Sequence, residues 1–153
     1  GKSLSEIKAS SSASIKIQNL NATERLEVAA SSSGSVSGNF ECADFKADVS
    51  SSGDVKGNLN AKTVYVEVSS SGDVTLDGKA ISLEVKASSS GDCDLKGLTT
   101  ENAMVKASSS ADVTLTVTKS LDAAASSSAD IDYYGNPSQV NTDKSSSGSV
   151  NKR

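Results

Sequence analysis

Leu83 to Gly97 reads LEVKASSSGDCDLKG, and its alternation decides the fold. Every second place is small or apolar: Leu83, Val85, Ala87, Ser89, Gly91, Cys93, Leu95 and Gly97. Between them stand Glu84, Lys86, Ser88, Ser90, Asp92, Asp94 and Lys96. A period of two marks a β-strand with one buried face, because successive side chains leave a strand on opposite sides. The preceding segment repeats the pattern with Val64, Val66, Val68, Ser70, Gly72, Val74 and Leu76. No helical period fits.

The SSSGDC at the centre of this stretch is one of eight related motifs, which begin at Ser10, Ser31, Ser50, Ser69, Ser88, Ser108, Ser126 and Ser145. Their spacings are 21, 19, 19, 19, 20, 18 and 19 residues. A fixed period of this size is the signature of a solenoid. Alignment on the motif gives nearly uniform columns. One holds Ile15, Val36, Val55, Val74, Cys93, Val113, Ile131 and Val150. Another holds Ala9, Ala30, Val49, Val68, Ala87, Ala107, Ala125 and Lys144. Such columns are what stacking in register about 4.8 Å apart demands. The expected fold is all-β: a right-handed, single-stranded parallel β-helix of about eight coils, about 19 residues each, over residues 1–153 as one domain. The handedness follows the rule for parallel crossovers, and the rod should be roughly 38 Å long.

The same alternation, carried through the motif, places the middle serines inward as a hydroxyl ladder: Ser11, Ser32, Ser51, Ser70, Ser89, Ser109, Ser127 and Ser146. The first and third serines then point outward. The fourth motif position is glycine in five copies and alanine at Ala13, Ala111 and Ala129, so small size is its requirement rather than positive φ. Corners are expected at Gly38, Gly57, Gly78, Gly97 and Gly135.

Composition narrows the function. Of 153 residues 33 are serine, aromatics are 3%, and histidine and tryptophan are absent. With net charge −4 and no basic block, nucleic acid is not an expected partner. No apolar run is long enough to span a bilayer. No signal peptide opens the chain, but Gly1 reads as a cloning scar, which leaves room for a leader ahead of it. Cys42 and Cys93 form no CxxC spacing and lie about three coils apart, too far for a disulfide. Both are expected to be free, inward-facing and slow to react.

Outward chemistry concentrates in two places. Asp54, Asp73, Asp92, Asp112 and Asp130 share one motif position. Carboxylates about 5 Å apart repel by about 0.8 kcal/mol per pair even in water, so the column is a weak cation candidate. Calcium-binding nonapeptide solenoids need GGxGxD turns twice per coil, which this chain lacks. The third serines Ser52, Ser71, Ser90, Ser110 and Ser128 form a candidate binding face. Ice-binding arrays generally use threonine, whose methyl groups matter, and these are serines. No catalytic residue and no cofactor is expected. There is no histidine base, the only arginines are Arg25 and Arg153, and a repeated column offers no unique carboxylate pair with separated pKa values.

The recurring serine-glycine-aspartate-valine signal on alternating strands resembles the bacterial auto-transporter adhesin family, head GIN domain. IDYYGNPSQVNTDKSSSGSV, from Ile131 to Val150, resembles that family's closing signature, and SLSEIKASSSASI resembles the start of its repeats. The resemblance implies a non-catalytic, adhesin-like or structural binding module in an extracytoplasmic place: the cell surface, an outer-membrane anchor or the periplasm. Its partner would be a glycan or a cell-surface protein. The alternative is a carbohydrate-binding or polysaccharide-active β-helix. The family usually carries a β-rich segment ahead of this point. The first coil is therefore expected to self-associate through Leu4, Ile7, Ile15 and Ile17.

Overall fold

The computed structural model describes residues 4–153, with side chains at residues 8–16 and 25–153. The side chains of Leu4, Ile7 and Ile17, named above for self-association, lie outside the described set. The strands are β1 (Leu4–Ala9), β2 (Ser14–Ala30), β3 (Ser35–Val49), β4 (Asp54–Val68), β5 (Asp73–Ala87), β6 (Asp92–Ala107), β7 (Asp112–Ala125), β8 (Asp130–Tyr134), β9 (Gln139–Lys144) and β10 (Ser149–Lys152). Each strand from β1 to β7 pairs in parallel with the next, β8 continues to β10, and β9 lies on β7. The result is an all-β solenoid of about seven turns, about 19 residues per turn. No helix among the described residues is long and apolar enough to cross a membrane.

The stacking follows the sequence columns. Val55 pairs with Val74, Val74 with Cys93, Cys93 with Val113, and Val113 with Ile131. Val36, Val55, Val74, Cys93, Val113 and Ile131 are buried, while Ile15 and Val150 at the two ends of the column are only partly covered. The core is a stack of such columns, filled by valine, leucine and alanine, with Phe40 and Phe45 in contact at 5.6 Å between ring centroids.

Departures from the 19-residue period appear as departures from register. Pairs β3–β4 and β4–β5, spaced by 19, stack without a slip. Register shifts occur in β2–β3, β5–β6 and β6–β7, where the spacings are 21, 20 and 18. Threonines repair the last of these. Thr100, fully buried, donates its hydroxyl to the Thr116 carbonyl at 2.8 Å. Thr116 donates to the Lys96 carbonyl at 2.7 Å. Carbonyls beside the slip thus gain a side-chain donor.

At the corners between motifs the backbone bends at glycine. Gly78 has φ 128° and Gly135 has φ 99°, values that L-residues avoid. The last coil is tied down by side chains. Lys152 Nζ donates to Asn136 Oδ1 at 3.0 Å, and Arg153 forms an ion pair with Asp132 at 3.3 Å.

The middle serines are not inward. Ser32, Ser51, Ser70, Ser89, Ser109 and Ser127 are all exposed, and no interior hydroxyl ladder exists among the described residues. The strand ends just before each triplet, and the alternation ends with it. The fourth motif position is the residue that returns inward: Gly34, Gly53, Gly72, Gly91, Ala111 and Ala129 are buried. None has positive φ, so small size is indeed what the position requires.

The reason for glycine is local. A Cβ on Gly72 would stand 2.7 Å from Val49 Cγ1, and one on Gly91 2.6 Å from Val68 Cγ1. Val49 and Val68 are the only valines in a column otherwise mostly alanine, and each is followed one coil later by glycine. The volumes compensate along the axis. Gly72→Ala should therefore cost about 1–3 kcal/mol by overpacking. In a Val49→Ala background the same change should cost much less. Denaturant melts of the two single variants and the double complete the cycle. Strict additivity would show that the two positions do not share volume.

Candidate functional site

Every serine triplet is a tight turn. Gly72 N–H donates to the Ser69 carbonyl at 2.9 Å, closing a four-residue turn, and the equivalent bond recurs in each coil. Both central residues have positive φ: Ser70 at 51° and Ser71 at 65°, with closely similar values in all eight turns. This is the pattern of a type I′ turn, which normally selects asparagine and glycine. Each L-residue held there costs roughly 1–2 kcal/mol. The turns are stitched coil to coil through their backbones. Ser52 N–H donates to the Ser70 carbonyl at 3.1 Å, and Ser71 N–H to the Ser89 carbonyl at 3.1 Å.

The hydroxyls gain nothing from this inside the fold. Among the described residues, the central serines of the turns make no side-chain hydrogen bond to the protein. Ser52, Ser71, Ser90, Ser110 and Ser128 are exposed, and so are the middle serines beside them. The first serines are mostly half-buried. The exposed ranks are thus the second and third, rather than the first and third.

The aspartates stand one residue beyond five of the eight turns. Asp54, Asp73, Asp92, Asp112 and Asp130 pair with one another in register along the axis. Asp54, Asp73, Asp92 and Asp112 line an open groove of about 550 Å³ with Lys56, Thr75 and Asp94. Partial burial, then the neighbouring Asp73, pushes the Asp54 carboxyl above its ordinary value of 3.8. Asp92 is raised by burial and then by Asp112 and Asp73. Asp112 is raised by burial and then by Asp130 and Asp132. No group of three or more carboxylate or thiol side chains among the described residues is arranged to hold a metal ion. The column is a line of charges, not a cage.

Residues 1–137 match the family described as "Putative auto-transporter adhesin, head GIN domain". The chain belongs to this family. Among solved structures, a putative adhesin from Bacteroides fragilis is similar, with 15% identity and a TM-score of 0.84 over 99% of this chain and 93% of that one. A putative lipid binding protein from Parabacteroides distasonis has 21% identity and a TM-score of 0.82 over 99% of this chain. The head GIN domain described here spans 61% of that second protein. These likenesses show the shared solenoid. No curated protein matches the chain.

Both cysteines of the head GIN domain are free. Cys93 is buried in the valine column, and burial raises its thiol far above the ordinary range. Cys42 is half-buried rather than fully inward. Burial and then Asp44 push it to about 11. Both should therefore label slowly with a thiol reagent, Cys93 only as fast as the chain opens.

The raised aspartates have a consequence for pH. A raised folded value means that the folded chain holds the proton more tightly than the unfolded chain. The ionised column thus weighs on the fold above the raised values, and the load lifts as pH falls toward 3.8. Over the interval that ends near 3.8 the column's load on the melting temperature should lift, and salt should flatten the change. Asp92→Asn should raise the melting temperature at neutral pH and reduce the slope. A steady fall over this interval, indifferent to Asp92→Asn, would contradict the coupling.

Proposed function

We propose that this head GIN domain is a non-catalytic, adhesin-like binding module, one solenoid unit over residues 1–153, that works outside the cytoplasm through side chains repeated along its axis. One observation carries the reading. Sixteen serines occupy left-handed backbone positions at eight turns, where asparagine or glycine would relieve strain. Their hydroxyls bond nothing in the protein. Repeated cost without internal return supports a role at the surface, where each hydroxyl is both donor and acceptor for a partner. Family membership supports the adhesin-like reading and the extracytoplasmic location. Absence of histidine, and a carboxylate column without a distinct acid and base, support the lack of catalysis.

The Asp column and the serines Ser52, Ser71, Ser90, Ser110 and Ser128 are the proposed contact residues of this edge. Self-association through the first coil is part of the same reading, supported by Ile15, only partly covered where Val36 beside it is buried. Light scattering at rising concentration tests that part, and a monodisperse monomer throughout would remove it.

The main test replaces the two central serines by Asn-Gly in two, four and then six turns. This keeps the turn type and deletes the hydroxyls. The fold should survive or gain stability. Retention of protein-coated beads on cultured epithelial cells and mucin should decline in steps with the number of turns replaced. Retention unchanged with six turns replaced would exclude the serine edge. Release of reducing ends from any uronate polymer by the parent protein would overturn the non-catalytic assignment.

A further inference from the structure

A second surface lies on the wall that precedes each serine turn. There, the outward rank Thr63, Ser82, Asn102, Ser120 and Gln139 stacks residue on residue through consecutive coils. All five are uncharged, and each carries both a donor and an acceptor. The earlier members of the same rank, Arg25 and Asp44, are charged. So is most of the nearby rank of Asp48, Glu67, Lys86, Lys106 and Asp143. A run of five neutral hydrogen-bonding side chains is therefore a local departure, not the general dressing of the sheet.

Beside this rank runs a second one, Tyr65, Glu84, Met104, Asp122 and Asn141, in the same register. The two ranks line an open groove of about 440 Å³ along the solenoid axis. Of the neutral rank, Ser120 donates to Asn102 Oδ1 at 2.8 Å. Thr63, Ser82, Gln139 and Asn141 make no side-chain hydrogen bond to the protein. Met104 is 43% exposed despite its apolar side chain. The Tyr65 ring is flanked by Lys46 and Lys86, each Nζ 5.8 Å from its centroid. These contacts fix the ring at one end of the groove.

We infer that this groove binds a neutral, polyhydroxylated chain, an uncharged oligosaccharide lying along the axis. The inference rests on the binding-module reading and names its ligand class. Hydroxyls on a sugar chain meet amides and hydroxyls that repeat once per coil. Glu84 and Asp122 accept further hydroxyl donors and repel uronates, sulfates and phosphates. Tyr65 and Met104 offer apolar surface to the C–H face of a sugar ring. None of the residues lining the groove is cationic, as an anionic polymer would need, and the groove lies open to solvent rather than enclosing space for an acyl chain.

The test is calorimetric titration of the full chain with neutral hexaoses (gluco-, manno- and xylo-configured) and with oligogalacturonate. At least one neutral hexaose should bind, and oligogalacturonate should bind about tenfold more weakly or not at all. Asn102→Ala and Tyr65→Ala should each weaken the neutral sugar by about tenfold. Asn102 is exposed, so unchanged melting of Asn102→Ala separates contact loss from unfolding. No heat with any neutral hexaose, preference for the uronate, or binding unaltered in the Asn102→Ala/Tyr65→Ala double variant would each overturn the inference. Bead retention distinguishes the two proposals. Retention kept by the double variant, with no hexaose bound, removes the groove and leaves the binding-module reading standing. Retention absent in the parent protein removes the reading itself.

Discussion

The structure depends on one constraint: each residue's principal neighbour is its own equivalent one coil away, about 4.8 Å along the axis. A side chain must therefore be compatible with copies of itself. Valine and leucine satisfy this inside, where Val55, Val74 and Val113 share a column with Cys93. Asn58 and Asn39 satisfy it outside by an amide bond at 3.1 Å. Where a column changes size, an adjoining column must answer, as glycine does after Val49 and Val68. Where the chain gains or loses a residue, the ladder slips, and between β6 and β7 threonine hydroxyls bond the carbonyls beside the slip.

The same constraint turns against like charges. Five aspartates in one column are neighbours by construction. The carboxyls of Asp54, Asp92 and Asp112 respond by shifting upward, with burial acting before the neighbouring charges. A solenoid that tolerates this is not optimised for stability at that edge. The serine turns on the preceding residues carry a second cost of a different kind, in backbone conformation rather than charge. Two independent costs meeting along one edge distinguish it from the buried columns, where every feature favours the fold.

Much of the fold was legible because period and alternation report stacking directly. The columns through Val55, Val74 and Cys93, and through Val49, Val68 and Ala87, appear in the sheet register as the sequence aligned them. The turn was not legible, for two physical reasons. Serine is a poor indicator of type I′ geometry, whose usual residues are asparagine and glycine. The turn also happens to preserve parity: Ala87 and Gly91 are both buried, so strict alternation seemed to run through Ser89, which in fact stands at an exposed tip. Half-burial of Cys42 was missed because corner columns are only partly closed. The groove beside Tyr65 was missed because alternation says which residues face outward, and not which outward ranks enclose space together.

Repetition also shapes what kind of binding such a surface can support. A catalytic centre needs unlike groups brought together once, whereas stacking multiplies like groups at equal intervals. Each exposed serine or amide can contribute only a weak, solvent-competed hydrogen bond, worth about 0.5–1.5 kcal/mol net. Useful affinity must come from several coils engaging one extended partner, since once one unit is held the next binds at high effective concentration. A polymer whose own repeat runs along the axis meets this requirement, and a compact ligand touching a single coil does not. The geometry that stabilises the core, one residue type per column over many coils, thus favours long, repetitive partners over small unique ones.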